Sequence, residues 1–165
     1  MLRVPAIAGA TLVAAATVVS VATASPAGAS ICDPPINGTF TRVSDGVWAK
    51  TNDSYHNEET VTDTWTVSAA CTDYLDCTGQ VVSSQGWTAS AKCYDGLWYV
   101  RRQLEHWEPC LDGTGAPAQQ TFMFAPDMAN PTNFAGSDKT VGASGGCGFN
   151  KPLTVEMPLE LTRVG

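Results

Sequence analysis

The chain has 165 residues, with 16 acidic against 9 basic side chains and a net charge of −7 at pH 7. That acidity argues against nucleic acid or an anionic membrane as partner, because both need a basic patch to displace counterions. The length suits one small domain rather than several.

At the N-terminus, Arg3 precedes an apolar run from Ile7 to Ala24, and Ala27-Gly28-Ala29 offers small residues for cleavage. This reads as a secretory signal peptide over residues 1–29, leaving a single secreted β domain over residues 30–165. The competing reading is an uncleaved anchor, since the run approaches the roughly 20 residues that a spanning helix needs. Pro26 and the small-residue site favour cleavage, after which no stable membrane insertion is expected. Cys32 follows Ile31 rather than the small residue that lipid attachment requires. All six cysteines lie beyond the leader, an even number in an exported chain, so three disulfides are expected and a bound metal is not. Parity and compartment leave the connectivity open. The pairing chosen is Cys71 with Cys77 across the short TDYLD, Cys110 with Cys147, and Cys32 with Cys93 as the remainder.

In chain order, GTFTRVS and VWAKT flank Asp45-Gly46 and read as a hairpin, because Asp-Gly tolerates the positive φ of a two-residue turn. Residues 52–59, NDSYHNEE, read as a loop or one helical turn. In residues 60–71 Val61, Trp65, Val67, Ala69 and Cys71 share one face while Thr60, Thr62, Thr64, Thr66 and Ser68 share the other. That period of two marks a strand buried on one side. TGQVVSS, WTASAKC and LWYVRRQLEHW follow across short turns at Gln85-Gly86 and Tyr94-Asp95-Gly96, gaps that can join only antiparallel neighbours. QQTFMFAP puts Phe122 and Phe124 on one face. The segment from Asp127 to Lys151 is rich in Gly, Asn, Ser and Asp, carries almost no apolar period, and reads as a surface loop pinned by Cys147. LTVEMPLELTRV returns to alternation, with Pro158 demanding an edge position or a bulge. About eight short strands and no long helix make the fold all-β and antiparallel, a disulfide-stapled meander barrel or sandwich. Short sequential connections favour the barrel.

Candidates for chemistry are few. GASGG, residues 142–146, satisfies GxSxG around Ser144, but no strand-to-helix elbow surrounds it and neither histidine stands in a protease-like context. His106, between Glu105 and Glu108, reads as a rim residue at a strand end that could serve acid–base chemistry. His56 with Asp53, Glu58 and Glu59 fits neither a calcium nor a zinc spacing. No cofactor motif is present. Asp63 shares the inner face of Val61, Trp65 and Val67, and Arg102 that of Trp98, Val100 and Leu104, so two opposite charges point to the interior. A buried charge must be paired or hydrated, and together the two could hold a small polar ligand in a barrel mouth.

GTFTRVSDGVWAKTND, TDTWTVSAAC, DCTGQVVSSQGWTA, DGLWYVRR, HWEPCLDGTGAP, QQTFMFAP and SDKTVGASGGCGFNKPLTVEMPLELTRV together resemble a family of secreted mycobacterial and related actinobacterial proteins of uncharacterised function. The resemblance covers nearly the whole chain beyond the leader. It implies export and a β-rich domain, and it brings no catalytic residue, cofactor or substrate. Cys71, Cys77, Cys110 and Cys147 lie within the family pattern, whereas Cys32 and Cys93 are additions to it. The function expected is a non-catalytic extracellular or envelope-associated module that binds a small molecule or an envelope component. The alternative is a small secreted hydrolase using Ser144 or the His106 region.

Overall fold

The computed structural model describes Cys32, residues 35–72 and residues 76–164. The expected signal peptide lies outside the described residues. Among them the strands are β1 (Gly38–Ser44), β2 (Lys50–Thr51), β3 (Ser54–Tyr55), β4 (Val61–Cys71), β5 (Cys77–Ser83), β6 (Thr88–Tyr94), β7 (Leu97–Pro109), β8 (Gly115–Pro126), β9 (Phe134–Gly142) and β10 (Thr154–Arg163). β1 and β4 to β10 close an 8-strand antiparallel meander barrel, in which β10 returns to pair with β1. β2 and β3 form a small hairpin hung on the start of β10.

Alternation builds the wall. β4 buries Asp63, Trp65 and Val67 and exposes Thr62, Thr64, Thr66 and Ser68. In a barrel of this size the interior is just wide enough for side chains to fill it. The filling is graded from one end to the other. Where β4 turns into β5, Phe40, Val67, Trp98, Phe124, Phe134 and Leu161 pack as an apolar plug, joined by Ile36 from the segment ahead of β1. Each such side chain contributes about 1.5–3 kcal/mol by leaving water. Toward the opposite end the buried residues turn polar: Arg42, Ser44, Asp63, Ser83, Gln120, Asp138 and Thr140. The disulfides join Cys32 to Cys93, Cys71 to Cys77 and Cys110 to Cys147, the pairs chosen from the sequence. The first ties the leading segment to the apolar plug, and the third fastens the β9–β10 connection to the tip of the long β7–β8 hairpin.

Four local expectations are corrected. Asp45-Gly46 is not a two-residue hairpin turn: the Asp45 carboxylate accepts from the Val47 amide and caps a 3-10 turn over Gly46–Trp48, and β1 pairs with β4 and β10 instead. The hairpin sits one step later, at β2–β3, where Asn52 and Asp53 take positive φ of 50° and 66°. The expected surface loop over 127–151 contains β9, a full stave of the barrel. Its inward positions are Phe134, Asp138, Thr140 and Gly142, so no apolar period betrays it. Pro158 lies in a strand paired on both sides. Its carbonyl accepts from the Asp45 amide at the point where the β1 pairing stops and the β2 pairing has not begun, so its missing donor faces that break.

β9 lies so close to β8 that a Cβ on Gly136 would come within 1.9 Å of the Met123 carbonyl oxygen. Gly136→Ala is therefore expected to push the two strands apart and cost about 1–3 kcal/mol or more. A urea midpoint equal to that of the wild type would contradict this pairing.

Candidate functional site

The polar end of the barrel is built from inward positions on five staves. Arg42 and Ser44 alternate with Phe40 on β1, Asp63 with Trp65 on β4, Ser83 with Val81 on β5, Gln120 with Phe122 on β8, and Asp138 with Thr140 on β9. Arg42, 1% exposed, donates from Nε to Asp63 Oδ1 at 2.5 Å, and from Nη1 to Ser44 Oγ at 2.7 Å and Asp138 Oδ2 at 3.4 Å. Asp63 Oδ2 accepts from the Ser83 hydroxyl and from Trp65 Nε1. Asp138, fully buried, accepts from Ser44 Oγ and Gln120 Nε2, each at 2.7 Å. Both carboxylates therefore spend both oxygens on interior donors, the condition for carrying charge away from water.

Gln120 extends this network by one residue. Its Oε1 accepts from Arg102 Nε at 2.6 Å, and the Arg102 guanidinium lies 4.3 Å above the Trp87 ring. Trp87 stacks parallel to Phe122, over which the Arg42 guanidinium lies at 5.5 Å, so each ring of the stacked pair carries a cation. Arg102 is only half-buried, and its terminal nitrogens have no acceptor among the described residues. Burial pulls its pKa down, with the like charge of Arg42 adding to the effect and the two aspartates opposing it. Burial pushes the Asp138 carboxyl up, against the hydrogen bonds from Ser44 and Gln120 and the charges of Arg42 and Arg102.

The two charges singled out in the sequence both face inward, but they do not pair with each other. Asp63 belongs to Arg42, while Arg102 reaches it only through Gln120, Asp138 and Arg42. Arg42 and Gln120 were open to the same alternation argument, the first between Phe40 and Ser44, the second beside Phe122 and Phe124. Asp138 was not, because its strand was hidden. Ser144 is exposed in a glycine-rich turn, and its hydroxyl donates to the Asn150 carbonyl at 3.5 Å. His106 is exposed, not on the inner rim, because the β7–β8 register shifts between Leu104 and Glu108 and breaks the alternation that placed it there. His56 contacts Glu58 at 3.1 Å on the surface, and no group of three or more metal-ligating side chains occurs among the described residues.

The class of protein these elements define is a small disulfide-closed meander barrel with a charged interior. No family model matches the chain, and no curated protein matches it in sequence. Among solved structures it is similar to the monomer form of the M. tuberculosis PknI sensor domain, with a TM-score of 0.59 at 12% identity over 79% of this chain and 88% of that chain. At that identity the likeness is one of fold.

Two outcomes follow from the network. Arg42→Met strands two buried carboxylates and is expected to cost about 3–5 kcal/mol in urea unfolding, whereas Arg102→Ala, at the wet end, costs much less. Equal losses would contradict the assignment of Arg42 as the interior cation. Because the folded state raises the Asp138 pKa above its ordinary 3.8, the folded protein binds that proton more tightly than the unfolded chain does. Its stabilising contribution is complete below the unfolded value and is lost as pH rises through the folded one. The stability of the wild type minus that of Asp138→Asn should decline as pH rises above about 4. A difference independent of pH would contradict the raised pKa.

Proposed function

We propose that the chain is a non-catalytic, extracellular or envelope-associated binding module that receives the anionic group of a small molecule or envelope component at the polar end of its barrel. The observation that carries this reading is the state of Arg102. Its Nε is committed to Gln120, its face rests on Trp87, and its terminal nitrogens make no hydrogen bond to the described residues. A guanidinium held in one plane with its outer fork open matches a carboxylate or phosphate in two parallel hydrogen bonds. An arriving anion would also offset the desolvation that depresses the Arg102 pKa. The interior carboxylates cannot serve that purpose, since their oxygens are already taken by Arg42, Ser44, Ser83 and Gln120.

Support comes from three further features. The stave positions behind Arg102 are fixed by closed strand pairing, so the fork is preorganised and binding orders little. Three disulfides suit a domain working in an oxidising, extracytoplasmic compartment. The fold is shared with a domain described as a sensor, a role that needs recognition without turnover. No helix among the described residues is long and apolar enough to cross a membrane.

Titration of 15N-labelled protein with acetate, succinate and inorganic phosphate tests the reading. Saturable shifts of the Arg102 Nε–H and the Trp87 indole N–H are expected with at least one of the three, abolished in Arg102→Gln and retained in Ser144→Ala. Absence of saturable shifts with all three, or shifts that persist in Arg102→Gln, would overturn it.

A further inference from the structure

On the outside of the barrel a groove of about 390 Å3 runs between the β2–β3 hairpin and strands β9 and β10, with Trp48, Lys50, Tyr55, Ser137, Glu156 and Pro158 around it. We infer that this groove is a saccharide site, taking the ring of a neutral sugar chain against the Trp48 and Tyr55 side chains.

The first part of the argument concerns rigidity. Trp48 and Tyr55 are 63% and 72% exposed, yet the excursion that carries them is tied down along its length. Asp45 caps its 3-10 turn, Ala49 is fully buried, and the His56 amide donates back to the Ala49 carbonyl at 3.1 Å. Gly46 is so enclosed that a Cβ would come within 2.1 Å of the Glu58 carbonyl oxygen. Lys50 and Thr51 then pair with Glu156 and Val155 of β10. Two large rings are thus held in water by well-packed backbone, a costly arrangement unless something covers them.

Chemistry decides what that something is. A pyranose ring presents one face of C–H groups, suited to an aromatic side chain, and a rim of hydroxyls, suited to Ser137, Glu156 and Lys50 as donors and acceptors. Two charged side chains line the groove, and one of them is already paired. Glu156 pairs with Lys139 at 3.2 Å, and Lys50 Nζ lies 5.2 Å over the Tyr55 ring. A single lysine on a chain of net charge −7 gives an anionic polymer little hold, and the same lysine repels a cation. The occupant that fits is uncharged, ring-shaped and rich in hydroxyls.

The groove involves none of the interior network, so its test is independent of the anion site. Hexasaccharides of β-linked glucose, xylose, mannose and N-acetylglucosamine are titrated against the full secreted chain by calorimetry and tryptophan emission. At least one is expected to bind saturably, and Trp48→Ala and Tyr55→Ala are each expected to weaken it about tenfold. Both residues are exposed, so the variants should keep the wild-type thermal midpoint. Arg102→Gln should leave sugar binding unchanged. The inference is overturned if none of these sugars binds, if Trp48→Ala binds as the wild type does, or if a sulfated oligosaccharide is preferred to the neutral ones.

Discussion

Arg42 is the side chain on which the interior depends. A guanidinium enclosed in an eight-strand barrel is tolerable only if its charge is answered, and here Asp63 and Asp138 approach it from two other staves. Removing such a group costs far more than the net worth of the arrangement, because two carboxylates would be left uncompensated. The consequence is positional. Since side chains alternate along a strand, a one-residue slip of β1 would turn Arg42 outward with Phe40 and Ser44 and leave both aspartates behind. The same logic reaches β9, which has one large apolar side chain facing in and is held by Asp138 contacting Ser44, Gln120 and Arg42.

The barrel is therefore two structures end to end. Its apolar half is an ordinary core, sealed by the segment ahead of β1 and the Cys32–Cys93 bridge. Its other half is a sequence of hydrogen-bonded charges running from Asp63, which is buried, to Arg102, which meets water. Aromatic rings separate the halves: Trp65 stands edge-on to Phe122 at 4.9 Å and to Trp87 at 5.5 Å. This gradient explains how a barrel whose interior is lined with buried side chains can still present one organised cation at its end. It also separates the two surfaces proposed for binding, since the Trp48 groove is on the outer wall and shares no residue with the interior network.

Most of the wall was legible because β4, β6, β8 and β10 obey a period of two strictly enough that parity names the buried residue. Asp63 and Arg102 were legible for the same reason, their apolar neighbours fixing which way each faces. Partnership was not. Parity says that a charge points inward and is silent about which stave lies across the barrel, so the pairing of Asp63 with Arg42 required strand order and stagger. β9 escaped because the reading depended on apolar residues, and Asp138, Thr140 and Gly142 occupy the inward positions where Val or Leu would have signalled a strand. His106 was misplaced because a register shift between Leu104 and Glu108 resets the parity, and nothing local in LEHWEP announces it. Asp45-Gly46 has the composition of a hairpin turn. Its carboxylate instead caps a 3-10 turn, because the neighbour that β1 needs arrives later as β4.

The central claim is that Arg42 is enclosed and ionically held. Hydrogen exchange at its side-chain Nε–H, resolved by 15N NMR, tests this most directly, because that proton is bound to Asp63 inside the wall. The account predicts exchange as slow as that of the β4 core amides and governed by global unfolding. Exchange at the rate of the solvent-exposed Arg101 side chain would show Arg42 open to water and would contradict the account.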